Sequence, residues 1–162
     1  MLQIATYPQP VLRQTAKQIT EFNQELRDLA TAMAKAMYED DGIGLAAPQV
    51  SVSQRLIVIG DADKKSFAVY VNPEITFFSR EKSVNEEGCL SLPKIYGLVK
   101  RPKKIHLKYQ DLDGKVNKVK IKDFTAIVLQ HEIDHLNGIL FIDRAEKITE
   151  GQDLLDKLKA KL

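Results

Sequence analysis

The chain is short of several things. It has one cysteine, Cys89, and no tryptophan. A single thiol excludes an intramolecular disulfide framework and points to a reducing compartment. No apolar run approaches the ~18–20 residues that a membrane-spanning helix needs. The first 20 residues lack the basic-then-apolar pattern of a secretory leader. Excess charge of one sign is also missing, with 24 Lys+Arg against 22 Asp+Glu. That balance is far from a dedicated nucleic-acid binder, and no direct DNA binding is expected. What is present is an ordinary globular mixture, 44% hydrophobic and 28% charged in 162 residues. It excludes an intrinsically disordered chain and supplies a core without staples. No repeat, linker or low-complexity stretch divides it, so one soluble domain over 1–162 is expected.

The charge is unevenly spread. Residues 1–81 hold 8 basic and 10 acidic side chains, residues 82–162 hold 16 and 12. The basic excess lies in Lys100-Arg101-Pro102-Lys103-Lys104 and in Lys115, Lys118, Lys120 and Lys122. Such residues read first as solvated strand and loop faces, and second as a weak footprint for an RNA-rich partner.

Leu26, Leu29, Met33 and Met37 recur at helical spacing and predict an amphipathic helix over about 23–39, after a loop-rich arm containing Pro8 and Pro10. Gly42 to Gln49 reads as a loop or an irregular extended piece. Leu56–Ile59 reads as a short buried strand, and Phe67–Val71 and Ile75–Phe78 as two strands around Asn72-Pro73. Alternation at Ile105, Leu107 and Tyr109, an Asp113-Gly114 turn, then Val119 and Ile121 give a hairpin. Asp123 is placed as the cap of a helix over about 124–137, apolar nearly all round and therefore buried. A last amphipathic helix, within 149–162, opens with a capping-box-like Thr149 and Gln152. Strands cluster rather than alternate with helices. The expected fold is α+β, mainly antiparallel sheets packed around a central buried helix, with one helix near the N-terminus and one at the C-terminus.

That central helix carries His131-Glu132-Ile133-Asp134-His135. Residues i and i+4 lie about 40° apart in azimuth and about 6 Å apart along the axis, so both imidazoles can reach one metal ion. Glu132 points about 100° away, near the ion without binding it. Phe124 and Val128 are expected on the histidine face, burying it. Two histidines leave a tetrahedral ion short of a ligand, and Cys89 is the natural third. A Cys/His/His set leaves one position for water or substrate, as hydrolysis requires. Gly88 is expected to let the backbone come close to the ion. A third segment, Gly42-Ile43-Gly44-Leu45-Ala46-Ala47-Pro48-Gln49, forms a narrow strip against which another backbone could lie, and the Gln49 amide can donate to an oxyanion.

GIGLAAPQ at 42–49, EGCLS at 87–91 and QHEIDHLNG at 130–138 together, in this order, resemble the three signature motifs of the bacterial-type peptide deformylase family. The resemblance implies that Cys89, His131 and His135 hold one divalent metal ion, with Fe(2+) in the cell and Zn(2+), Ni(2+) or Co(2+) accepted. It implies that Glu132 is the general acid/base, and that Gln49 and the Leu90 backbone N–H are oxyanion donors. Gly44 and Leu45 are implied to pair with the substrate backbone. The implied substrate is the N-formyl-methionine end of a newly made polypeptide, and the products are formate and a free amine. Ile43, Ile127 and Val128, with Leu92 behind them, are candidates for the methionine slot, and Gly88 for a substrate contact. Tyr96 stands where some relatives carry arginine and is expected beside the substrate channel. Glu87 and Arg101 occupy positions that often pair. The C-terminal helix is expected to make a transient ribosome contact, and with no transit peptide visible a bacterial cytoplasm is expected. Two rival functions stay open on sequence: a zinc endopeptidase drawing a third ligand from Asp143 or Glu146, and a non-catalytic nascent-chain binder.

Overall fold

The computed structural model describes residues 2–162. After a 3-10 turn at Pro10–Arg13, the first helix, α1, spans Gln24–Glu39, with the Asn23 side chain accepting from the Leu26 N–H at its start. Eight strands follow: β1 Gly44–Ala46, β2 Leu56–Gly60, β3 Phe67–Phe78, β4 Lys82–Cys89, β5 Leu92–Pro102, β6 Lys104–Gln110, β7 Val116–Lys122 and, late in the chain, β8 Lys147–Glu150. The remaining helices are α2 Asp123–Leu136, the single turn α3 Phe141–Arg144, and α4 Gln152–Lys159.

The strands form two antiparallel sheets, β1-β2-β3-β6-β7 and β4-β5-β8. In β2, Leu56 and Val58 pack with the α1 core of Leu26, Ala30, Met33 and Met37. Ile57, on the other face, packs with Ala126, Leu129, Ile133 and Leu136 of α2. A strand covered by a helix on each side has no polar face, which is why it reads as an unbroken apolar run. A third cluster joins Tyr7 and Leu12 of the N-terminal arm to β5, Phe141 and Leu155. α2 therefore sits between the sheets.

Four local expectations are corrected. Asn72-Pro73 does not split two strands, because β3 runs through it, with one pairing irregularity across these two residues and a second between Ile75 and Phe77. The Asn72 side chain bonds both Ile19 backbone groups and Gln110, which holds the bulge in which Pro73 is tolerated. Asp123 does not cap α2. Lys122 takes the N-cap position without a side-chain bond, while Asp123 has φ 59° and gives its N–H to the Lys103 carbonyl at the hairpin junction. Thr149 and Gln152 form no capping box: α4 starts at Gly151, φ 83°, and Thr149 lies in β8 with its hydroxyl donating to Glu86. Phe124 does not bury the histidine face, being 66% exposed on the first turn of α2.

Candidate metal centre

The third and fourth turns of α2 face the end of β4. His131 and His135 project from one side of the helix, as their spacing requires. Cys89 ends β4, where a register irregularity after Gly88 lets Cys89 pair with Leu92 and turns the chain back into β5. One ligand atom from each of Cys89, His131 and His135 lies within 4.8 Å of the others. The Cys89 Sγ and His135 Nε2 are 3.3 Å apart.

The surroundings of the three donors fit a divalent cation. His131 Nδ1 meets Glu87 Oε1 at 2.8 Å, which leaves Nε2 facing the cluster. A carboxylate on the far nitrogen fixes the ring and makes it a better ligand. Burial opposes a charge on His131, yet the Cys89 and Glu87 groups beside it outweigh burial and raise its affinity for a proton. An environment that attracts a proton there attracts a metal ion by the same field. His135 is buried and its pKa is pushed down, first by burial and then by His131, so it is a neutral imidazole ready to bind. A thiol with two imidazoles suits zinc or iron and not magnesium or calcium.

Glu132 is 3% exposed, and burial pushes its pKa up to about 7, with His131 and Arg101 opposing the rise and Glu87 and Asp134 adding to it. Its Oε1 has no hydrogen-bond partner and lies 3.9 Å from His135 Nε2. A buried carboxyl oxygen without a partner is costly unless a ligand or water meets it. Gly44 makes this position possible, since a Cβ there would stand 2.9 Å from Glu132 Oε2. Gln49 is fully committed in orientation. Its Oε1 accepts from the Ala46 N–H at 3.0 Å, and its Nε2 donates toward Ser91 Oγ at 3.2 Å and Cys89 Sγ at 3.5 Å.

A cavity of about 980 Å³ opens over the cluster. Ile43, Gly44, Gln49, Gly88, Leu90, Ile127 and Val128 line it with Cys89, His131 and Glu132, and so do Leu92 and Tyr96. The Leu45 side chain is fully buried in the α1 core, which leaves its backbone, on the outermost strand of the five-stranded sheet, as the part that can meet a substrate strand. Gly88 lines the cavity beside Cys89, and the Tyr96 ring lies against it, where a Cβ would come within 2.6 Å of that ring.

Beneath the cluster lies a buried ionic network that sequence reading reached only in part. Arg101 grips Glu87 through two bonds, 2.6 and 3.0 Å, and Asp134 through a third, 2.9 Å. Arg144 adds two bonds to Asp134. Burial raises the Glu87 pKa, but the bonds from His131 and Arg101 outweigh it and hold the carboxyl below its ordinary range. Asp134, Arg144 and Ser91 were not anticipated. Asp134 carried the only available signal, a carboxylate on a buried helix that had to find a cation.

A model of the polypeptide deformylase family matches residues 1–151. The chain belongs to the polypeptide deformylase family. It is 47% identical over 152 residues to the peptide deformylase of Desulfotalea psychrophila, covering 91% of this chain and 89% of that one. The crystal structure of the Thermotoga maritima peptide deformylase matches with TM-score 0.87 and 42% identity, covering 90% and 98%. A Met-Ala-Ser-bound class I type b peptide deformylase from Acinetobacter baumannii matches with TM-score 0.83 and 38% identity, covering 88% and 97%. The reaction of this chain is peptide deformylation, a hydrolysis, and a Cys/His/His metal site is in place for it. The endopeptidase alternative loses its third ligand, because Asp143 is held by Arg13 and the third donor is the upstream Cys89.

Proposed function

We propose that this deformylase acts on the N-formyl-methionyl end of newly made polypeptides in a bacterial cytoplasm, with residues 1–162 working as one catalytic domain. Cys89, His131 and His135 hold the ion, Fe(2+) in the cell and Zn(2+), Ni(2+) or Co(2+) when these are supplied. A divalent cation in such a site supplies Lewis acidity, lowering the pKa of water and drawing charge from a carbonyl oxygen. Cys89 binds as thiolate, and an iron–thiolate site is oxygen-sensitive.

Glu132 takes the proton of the water that attacks the formyl carbon. As the C–O bond forms, negative charge grows on the formyl oxygen, and the Gln49 amide and Leu90 backbone N–H donate to it. Glu132 then passes its proton to the amine nitrogen as the C–N bond breaks, leaving formate and a free N-terminus. The substrate backbone adds as a strand to Gly44 and Leu45 at the free edge of β1. Ile43, Ile127 and Val128 receive the methionine side chain, with Gly88 and Tyr96 flanking the residues that follow. α4 makes a transient contact with the ribosome through Lys157, Lys159 and Lys161.

The observation that carries this reading is the unpartnered Glu132 oxygen facing three converging ligand atoms under an apolar-walled cavity. The deciding experiment compares formate release from formyl-Met-Ala and formyl-Gly-Ala by anaerobically purified enzyme of known metal content. A higher kcat/KM for the methionyl peptide is expected, and equal values reject the apolar slot.

A further inference from the structure

The outer face of the β6–β7 hairpin has no part in deformylation. Register sets Lys104 opposite Lys122, His106 opposite Lys120 and Lys108 opposite Lys118. All five lysines are exposed. Residues two apart on a strand share a face, so these amines lie on one surface, while Ile105, Leu107, Val119 and Ile121 point inward to the α2 core. β3 adds Phe77 opposite His106 and Glu74 opposite Lys108. The Phe77 and His106 rings stand 4.5 Å apart, tilted by 36°, and Phe77 is 47% exposed. Among the described residues none of the five lysines forms a salt bridge, Glu74 included. α1 covers β1 and β2 on this side of the sheet and meets the hairpin at its turn, where Arg27 pairs with Asp113, leaving the five lysines exposed.

Like charges set directly opposite destabilise a strand pair. Protection of an edge accounts for charge on β7, the outermost strand. It does not account for Lys104 and Lys108 on the inner strand β6, nor for a single sign, since alternating signs blunt an edge without the repulsion. A partner that supplies regularly spaced negative charge removes the cost. Along β7 the lysines recur every ~6.6–6.8 Å, along β6 Lys104 and Lys108 flank His106 at ~13 Å, the two rows are ~4.7–4.9 Å apart, and an exposed aromatic stack sits at their margin. Cations that track a backbone, beside a ring that accepts a base, are the chemistry of single-stranded nucleic acid binding.

We propose that this face docks single-stranded RNA, with its phosphates on the lysine rows and a base on the Phe77–His106 pair. The choice of RNA rests on the nascent-chain reading, because such a substrate emerges from an RNA-rich particle. A lipid surface is less well matched: binding there gains from apolar residues interleaved with the cations, whereas Phe77 is engaged by His106 at the margin of the rows. The cavity lies on the far side of α2 from this face, so docking leaves it open.

The test titrates the metal-loaded full chain with a fluorescently labelled uridine-rich RNA, followed by anisotropy across a salt series. Replacing three lysines, Lys118→Glu, Lys120→Glu and Lys122→Glu, is expected to weaken binding on the order of 10–100-fold and to reduce the log–log salt slope by about 2. Phe77→Ala is expected to cost roughly fivefold or more. Lys65→Glu with Lys147→Glu, both exposed and outside the hairpin, is the control and leaves the slope unchanged. All variants keep wild-type formate release from a short formyl peptide, so loss of RNA affinity separates from failure of the catalytic reading. Absence of RNA binding by the wild type at low salt overturns the proposal, as does equal binding by the triple variant or an equal loss in the control. Displacement of RNA by vesicles of anionic phospholipid overturns it in favour of a membrane surface.

Discussion

Glu132 illustrates how one buried side chain acquires a task. Its helix hides it, Gly44 leaves room for it, and nothing bonds its Oε1. A carboxyl in that position is placed to meet whatever occupies the cluster beside it, as the proposed proton transfer requires. Glu132→Ala is expected to retain metal and lose about 10²–10⁴-fold in kcat. Elemental analysis and formate release check the two halves separately, and near wild-type turnover removes Glu132 from the role. Glu87 works through its neighbours. It aims His131 and neutralises Arg101 in a place water scarcely reaches. Glu87→Gln leaves Arg101 short of a counter-charge, a loss of roughly 3–5 kcal/mol when one partner of a buried pair is removed. Metal affinity is expected to fall by about 10–100-fold as well, the usual cost of disturbing the group behind a ligating histidine. Urea unfolding and a competition titration with a chelator read these effects, and unchanged metal affinity rejects the positioning role. The two histidine donors were legible because their geometry is local, one helical turn apart, and Cys89 was reached through them as the missing third ligand. Asp134 and Arg144 were not, because what identifies them is a shared partner, Arg101, 33 residues away from Asp134 in the chain.

The same contrast between local and distant information governs the secondary-structure elements. α1 and the β6–β7 hairpin follow from periodicity alone. β4 and β5 did not read as strands, for a physical reason. In β4 the single buried residue is Glu87, so no apolar alternation exists. In β5 the inward positions after Ile95 are Gly97, Val99 and Arg101, and a glycine and an arginine interrupt the pattern. Strands that carry an ionic network instead of a core look like loops to a hydrophobicity argument. β1 poses a different problem, being only three residues long and specified by what α2 brings against it. At Gly44 a Cβ would press on Glu132 Oε2 at 2.9 Å, and on Glu132 Cγ and Ile59 Cδ1 at 3.1 Å. Gly44→Ala is therefore expected to displace the carboxylate. Displacements near 1 Å at a reacting group can cost about 10²-fold in rate, while overpacking costs roughly 1–3 kcal/mol of stability. Metal content is expected to stay at the wild-type level. A variant with normal kcat would mean that β1 yields and Glu132 does not.

At the scale of the whole molecule, the metal centre depends on elements far apart in sequence being held as one body. The ionic network joins β4, β5, α2 and α3, and a second tie brings in the N-terminal arm. Arg13 bonds both Asp143 oxygens, at 2.5 and 3.0 Å, and the Gly138 carbonyl at 3.1 Å, spanning 125 to 130 positions. Gly138, φ 72°, has no room for a Cβ beneath the Arg13 backbone, so arm and helix end meet closely. Partial burial works against the Asp143 charge, but the bond from Arg13 and the Leu140 N–H outweigh it, and the carboxyl lies below its ordinary value of 3.8. The folded chain therefore holds this proton less readily than the unfolded chain does. The resulting stabilisation is fully present above pH 3.8 and is lost as the pH falls through the lower, folded value. Both partners are more than a third exposed, so solvent screening keeps the effect modest. Asp143→Asn is expected to lower the midpoint of urea unfolding at neutral pH, with the gap from wild type closing in acid below pH 3.8. A gap that stays constant down the acid limb would assign the loss to packing around Leu140, not to the charge that fastens the arm.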